Sequence, residues 1–270
     1  MNHIKTQCPA KINLFLRVLD KRIDGYHNIE TSFQLIDLYD LISFEKITDE
    51  IIIESNEDYL GGEDNTIYAS AIKVKEYLSD KKYGVKINIK KNIPTGSGMG
   101  GGSSNAASTI IALNKLWDLN LSKERLSKIA KEIGADVPFF MFGKNALGNG
   151  IGDELQEVSS IGDNILIIDP LIHNSSKNMF SLLKQRKEIK NNSLYKQNHF
   201  FDVFVESNKE VKDFVKKFNK DYVINLTGSG SCMFICYKDE KEINEILKKI
   251  PSKWRLFFCK PLQYSPICYI

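Results

Sequence analysis

The sequence predicts an α+β protein of two domains, and three observations predict it. Some stretches alternate apolar and polar residues, the period of a half-buried strand, while others place apolar residues at helical spacing. The second half repeats this mixture without repeating the sequence of the first. A length of 270 residues suits one large or two modest domains. The division is expected between Gly143 and Glu154, giving domains 1–148 and 149–270.

Ile12, Leu14, Leu16 and Val18 alternate with Asn13, Phe15 and Arg17, which predicts a strand with one buried face. Ile29, Thr31, Phe33 and Leu35 alternate in the same way with Glu30, Ser32 and Gln34. Asp24-Gly25 is a turn signal between them, so the two strands form a hairpin whose long loop ends in Tyr26-His27. Further strands are predicted at 41–44, 51–53 and 85–89. Ile67, Ala71, Val74 and Leu78 have helical spacing behind the capping residues Asp64 and Asn65. Leu126, Ile129, Ala130 and Ile133 do so between Ser122 and Gly134. In the second half, strands are expected at 165–168, 223–226, 232–237 and 254–259, with helices around 211–218 and 243–250. The polar stretch 184–198 is expected to be a surface loop.

Apolar residues make up 42% and charged residues 26% of the chain, which excludes collagen, low-complexity and disordered classes. Thirty-seven Lys and Arg against 34 Asp and Glu leave a net charge of +3, with the basic pairs scattered. No clustered basic face for nucleic acid is therefore expected. The N-terminus lacks the apolar stretch of a signal peptide. The apolar block 137–142 is far short of the ~20 residues that span a membrane. Five cysteines without a CxxC pair suggest reduced thiols packed as small hydrophobes, no structural zinc site and a cytoplasmic protein.

The richest signal is Pro94-Thr95-Gly96-Ser97-Gly98-Met99-Gly100-Gly101-Gly102-Ser103-Ser104. Its bare backbone lets several N–H groups converge on an anion. It runs straight into a helical pattern at 105–117, so a bound phosphate would also meet a helix N-terminus. It is not a Walker loop, because Gly102 stands where the lysine is required. Gly96, Gly98 and Gly101 match the dinucleotide pattern by letter only, since six residues part them from the preceding strand and no acid closes a second one. A triphosphate loop of another design remains.

The chain resembles the GHMP superfamily of small-molecule kinases. The resemblance rests on Pro9-Ala10-Lys11-Ile12-Asn13, Asp24-Gly25-Tyr26-His27, the glycine loop and Gly134-Ala135-Asp136-Val137-Pro138. Gly150-Ile151-Gly152-Asp153 and Thr227-Gly228-Ser229-Gly230-Ser231 support it. It implies a ribosomal-protein-S5-like N-terminal domain and a ferredoxin-like C-terminal domain. Within the superfamily the lysine block and Asp-Gly-Tyr-His imply a particular reaction. ATP would phosphorylate the 2-hydroxyl of 4-diphosphocytidyl-2-C-methyl-D-erythritol, on the non-mevalonate route to isoprenoid precursors. Homoserine, mevalonate or a sugar is the alternative acceptor.

Taken alone, Asp136 reads as a helix N-cap and Lys11 as a surface lysine. The resemblance instead implies that both are catalytic, Asp136 accepting the hydroxyl proton and Lys11 steadying the transferring phosphoryl group. It also implies that Asn65 and Lys91 join the glycine loop in holding ATP, and that Mg²⁺ accompanies it, with Ser104 a possible ligand. On the acceptor side it implies Asn13 at the hydroxyl, Tyr26 and His27 at a pyrimidine, and Ser176 with Phe180 across from them. The partner is thus a small molecule carrying cytidine diphosphate, and neither nucleic acid nor membrane is expected.

Overall fold

The computed structural model describes residues 2–57, 65–79, 82–185, 198–218 and 222–269. Two long strands organise the N-terminal half, β1 (His3–Lys21) and β2 (His27–Thr48). They pair antiparallel along nearly their full length, with register shifts between Pro9 and Ala10 and between Asn13 and Phe15. The strands expected at 29–35 and 41–44 are therefore one. Asp37 and Asp40 interrupt the apolar pattern without ending the strand because their carboxylates are satisfied in place. Asp37 accepts from the Lys260 N–H, and Asp40 from the N–H groups of Asn92 and Ile93. The first strand also begins well before Ile12.

β2 carries most of the first sheet. Besides β1 it pairs with β4 (Tyr83–Lys90), β5 (Ala146–Asn149) and, near the chain end, β11 (Pro261–Leu262). β3 (Ile51–Ser55) runs parallel to β4, and β6 (Glu154–Glu157) extends β5. Against this sheet lie α1 (Thr66–Lys75), α2 (Gly101–Leu116), α3 (Lys123–Ile133) and α4 (Val137–Phe142). Asn65 caps α1 and Ser122 caps α3 as their sequence positions suggest. Their contact with the sheet forms a core around Phe33, Phe44, Ile87, Ile110, Leu113 and Phe139.

The second half builds a four-stranded antiparallel sheet in the order β10 (Arg255–Cys259), β7 (Asn164–Asp169), β9 (Met233–Tyr237), β8 (Asn225–Leu226). Helices α5 (Ser176–Gln185), α6 (Phe201–Ser207), α7 (Lys209–Phe218) and α8 (Glu240–Leu247) accompany it. They meet the sheet in a core containing Leu166, Phe204, Phe214, Phe218, Ile246 and Trp254. A third apolar cluster joins the halves: Ala10, Ile12, Ile36, Ile93 and Met99 pack on Ile165, Ile167, Cys232 and Phe234. This cluster explains why residues 31–36 are buried in succession. With helices on one face and a second sheet near the other, the alternation of a half-exposed strand no longer applies.

Of the expected loop 184–198, Lys184 and Gln185 end α5, and Asn198 is buried and bridges to Leu16. The stretch 186–197 lies outside the described residues. Cys8, Cys232, Cys236 and Cys259 are free thiols; burial is the main influence pushing Cys8 up to about 12. Among the described residues no helix is long and apolar enough to cross a membrane.

Candidate active site

The glycine loop lies between the two sheets. Gly96, Gly98 and Gly100 all have positive φ, a conformation that L side chains rarely adopt. The loop is closer to the helix than the sequence suggests. α2 starts at Gly101, four residues before the expected 105, so Gly101 to Ser104 form its first turn. Their backbone N–H groups include those that a helix leaves without internal partners at its N-terminus. A second glycine turn, 227–231, docks on the first. Ser231 and Cys232 donate backbone hydrogen bonds to Gly96 and Ser97 carbonyls at 3.3 and 3.1 Å.

This packing leaves two adjoining cavities. One, of about 570 Å³, is lined by the glycine loop together with Asn65, Thr66, Lys91 and Asn105. The other, of about 920 Å³, is lined by Asn13, Tyr26, His27, Phe33, Lys177 and Phe180 among others. Lys11, Ser103, Asp136, Ser176, Gly228 and Ser229 border both. The boundary is thus polar and carries a cation and a carboxylate.

At that boundary the Lys11 ammonium is 3.4 Å from Asp136 Oδ2 and donates to Asn13 Oδ1 at 2.6 Å. Lys11 is only 3% exposed, so it is no surface lysine. Asp136 does stand at the N-terminus of α4, but its side chain makes no capping hydrogen bond. The carboxylate faces Lys11 and the cavities instead. The Lys11 backbone N–H donates to the Met99 carbonyl at 3.0 Å, which ties β1 to the glycine loop. Asn13 is buried too: its oxygen also accepts from the Gly228 N–H at 2.9 Å, and its amide nitrogen donates to Thr31 Oγ1 at 2.8 Å.

The predicted residues divide clearly. Lys11, Asn13, Asp136, Tyr26, His27, Ser176 and Phe180 all line the larger cavity. His27 stacks on Phe180, centroids 5.0 Å apart, and Phe180 meets the edge of Phe200. Ser176 shares a 2.8 Å hydrogen bond with Ser229, from the late glycine turn. On the other side Asn65 caps α1 through Ile67 N–H and also faces the smaller cavity. Lys91 faces it as well, but its ammonium is already paired with Asp40 and donates to Asn105 Oδ1 at 2.9 Å. Met99 and Ser104 do not line either cavity. Met99 is buried in the third core, and Ser104 is fully buried with a hydroxyl that has no partner.

Four residues were not assigned to the site from the sequence. Gly228 and Ser229 border both cavities, and their signal was the second glycine turn itself. Asp40 is a fully buried carboxylate, marked by a lone acid just before the apolar pair Leu41-Ile42. Thr31 is a hydroxyl residue on a strand face that the alternation marks as apolar.

A triphosphate-type loop, an adjoining larger cavity and a lysine–carboxylate pair between them define a GHMP-type small-molecule kinase. Residues 65–144 match the description "GHMP kinases N terminal domain", and residues 179–256 match "GHMP kinases C terminal". A 4-diphosphocytidyl-2-C-methyl-D-erythritol kinase of Francisella philomiragia is 37% identical over 267 residues, covering 96% of each chain. One from Marinomonas sp. is 34% identical, covering 98% of this chain and 90% of its own. The protein belongs to the family of 4-diphosphocytidyl-2-C-methyl-D-erythritol kinases. The fold agrees. A solved 4-(cytidine 5'-diphospho)-2C-methyl-D-erythritol kinase superposes with TM-score 0.74 at 24% identity over 96% of this chain and 99% of that one. A homoserine kinase from Cytophaga hutchinsonii gives 0.70 at 16%, over 98% and 96%.

Proposed function

We propose that the protein transfers the γ-phosphoryl group of ATP to the 2-hydroxyl of 4-diphosphocytidyl-2-C-methyl-D-erythritol, releasing ADP. The observation that carries this reading is the Lys11–Asp136 pair on the border of two cavities. Only a group transferred from one bound molecule to another needs its catalytic residues there. The glycine loop and the first turn of α2 hold the triphosphate, by backbone N–H groups and the positive end of the helix dipole. Asp136 takes the proton of the acceptor hydroxyl as its oxygen bonds to the γ-phosphorus and the bond to the β-phosphate oxygen breaks. Lys11 faces the same point and stabilises the charge that spreads over the transferring oxygens.

Mg²⁺ is expected with ATP, where it neutralises phosphate charge. Asp136 and Ser103 face the nucleotide-side cavity with oxygen donors, the kind this ion takes. A bound Mg²⁺ would take its remaining ligands from phosphate oxygens and water, as this ion commonly does. The acceptor-side cavity, at about 920 Å³ with Tyr26, His27 and Phe180 in its wall, suits a base-bearing acceptor better than homoserine or mevalonate.

The test is ADP release with ATP, Mg²⁺ and 4-diphosphocytidyl-2-C-methyl-D-erythritol, run beside Asp136→Asn. Turnover should require the acceptor and fall roughly 10²–10⁴-fold in the variant, the range for loss of a general base. No acceptor-dependent ADP from the folded protein would overturn the substrate. Full activity in the variant would remove Asp136 from the mechanism.

A further inference from the structure

Thr31 lies in β2 and is fully buried, where a hydroxyl must find partners. It has two. Its oxygen accepts from Asn13 Nδ2 at 2.8 Å, and its proton goes to the Phe15 carbonyl at 2.6 Å. On the other side of the Asn13 amide stand the Lys11 ammonium and the Gly228 N–H, at 2.6 and 2.9 Å. Both can only donate, so the amide oxygen must face them and the NH₂ must face Thr31. The three contacts fix one orientation of Asn13. The Lys11 ammonium then has two anchors, Asn13 Oδ1 and Asp136 Oδ2, one behind it and one at the cavity border. The register shift between Asn13 and Phe15 brings this about, since it sets Phe15 opposite Ser32 and leaves the Phe15 carbonyl within reach of Thr31.

We propose that Thr31 is a positioning residue for phosphoryl transfer: its hydroxyl sets the Asn13 amide, and through it the place of the Lys11 ammonium at the border of the two cavities. This rests on the kinase reading above. Thr31 lines neither cavity. Valine has the same shape but leaves the Asn13 NH₂ against a methyl group, removing one of the three contacts that hold the amide in place. Serine keeps the hydroxyl.

The experiment compares Thr31→Val with Thr31→Ser in two readouts. In steady-state turnover with ATP, Mg²⁺ and 4-diphosphocytidyl-2-C-methyl-D-erythritol, Thr31→Val should lower kcat roughly 10–10²-fold, as small misplacements of catalytic groups do. KM for ATP should stay within about twofold of wild type, and Thr31→Ser should recover most of kcat. Added to Asn13→Ala, Thr31→Val should cause no further loss, because its effect runs through the amide. The second readout needs no acceptor. In protein labelled with ¹⁵N-lysine, the Lys11 ammonium signal, assigned by its loss in Lys11→Arg, should be kept in Thr31→Ser and shifted or broadened away in Thr31→Val. Wild-type kcat in Thr31→Val, a further loss on the Asn13→Ala background, or an unchanged Lys11 signal would each overturn the proposal. A wild type inactive on this acceptor would overturn the substrate reading alone, and the Lys11 signal would still decide Thr31. Should Thr31→Val not fold, Thr31→Ala makes the same comparison.

Discussion

Gly98 and Thr227 approach so closely that a side chain on the glycine would run into the threonine's carbonyl oxygen. Thr227 Oγ1 in turn donates to the Gly98 carbonyl at 3.2 Å. One residue belongs to the glycine loop of the first half and the other to the late glycine turn of the second. Their contact is a point at which the two halves fix the shape of the site.

Gly98→Ala should therefore destabilise the protein by more than its backbone strain. A positive φ at a non-glycine residue costs about 1–3 kcal/mol by itself, and Gly98 has φ +78. Gly25 is a matched control, with φ +89 and open space where an alanine methyl group would stand. In urea unfolding, Gly98→Ala should lose clearly more stability than Gly25→Ala, and its KM for ATP should rise. Equal losses would show that the approach to Thr227 contributes nothing.

Much of this was legible in the residues, and the rest was hidden for identifiable reasons. The helices Thr66–Lys75 and Lys123–Ile133 form because one face of each is apolar and a capping residue starts it, though the first stops short of Leu78, which the spacing includes. The glycine loop was legible as a loop running into a helix, but the first helical turn was not, since Gly101 and Gly102 are poor helix formers held there by packing. Lys11 shows the limit best. Local pattern places a lysine at a strand on the surface, and it is the neighbouring Asn13 amide together with Asp136, 125 positions along the chain, that makes its burial tolerable. Only the resemblance pointed there. Thr31 and Asp40 needed coordinates, because what they do is decided by partners distant in sequence.

Phe180 tests the acceptor side. Its ring is held between the face of His27 and the edge of Phe200. A base stacked on an aromatic ring gains about 1–3 kcal/mol, which is roughly a 5–150-fold change in affinity. Phe180→Leu should raise KM for the cytidine-bearing acceptor within that range and leave KM for ATP alone. Inhibition by CDP offers an independent check and should weaken in parallel. Unchanged CDP inhibition would take Phe180 out of base recognition.

Asp40 predicts a stability effect from one buried carboxylate. Its oxygens accept from the Asn92 and Ile93 N–H groups at 2.8 and 2.9 Å, from Asn105 at 3.0 Å and from Lys91. Asp40→Ala strands a buried ammonium and several donors together. Breaking such a pair costs about 3–5 kcal/mol, readable as a lower urea midpoint at unchanged slope. Asp40→Asn keeps an acceptor for the two N–H groups and should lose less. A loss below about 1 kcal/mol in Asp40→Ala would mean that water replaces the carboxylate freely, as it does at exposed pairs.

His199 gives the pH dependence. Its Nδ1 accepts the Val18 N–H at 3.0 Å, and its backbone N–H donates to the Leu16 carbonyl at 2.9 Å, so it ties the second half to β1. An accepting Nδ1 carries no proton. Burial first, and then the charge of Arg17, hold this imidazole below its ordinary value. In the unfolded chain it titrates near ~6.5. As pH falls through that value the unfolded state takes up the proton before the folded one does, so stability is complete above ~6.5 and declines as pH falls toward the lower folded value. His199→Asn keeps an acceptor at the Nδ1 position and cannot titrate. The variant should show a flatter stability profile below pH ~6.5 and a profile parallel to wild type above pH ~7. If the two profiles stay parallel throughout, His199 does not contribute to the loss of stability in acid, and another group sets the acid limb.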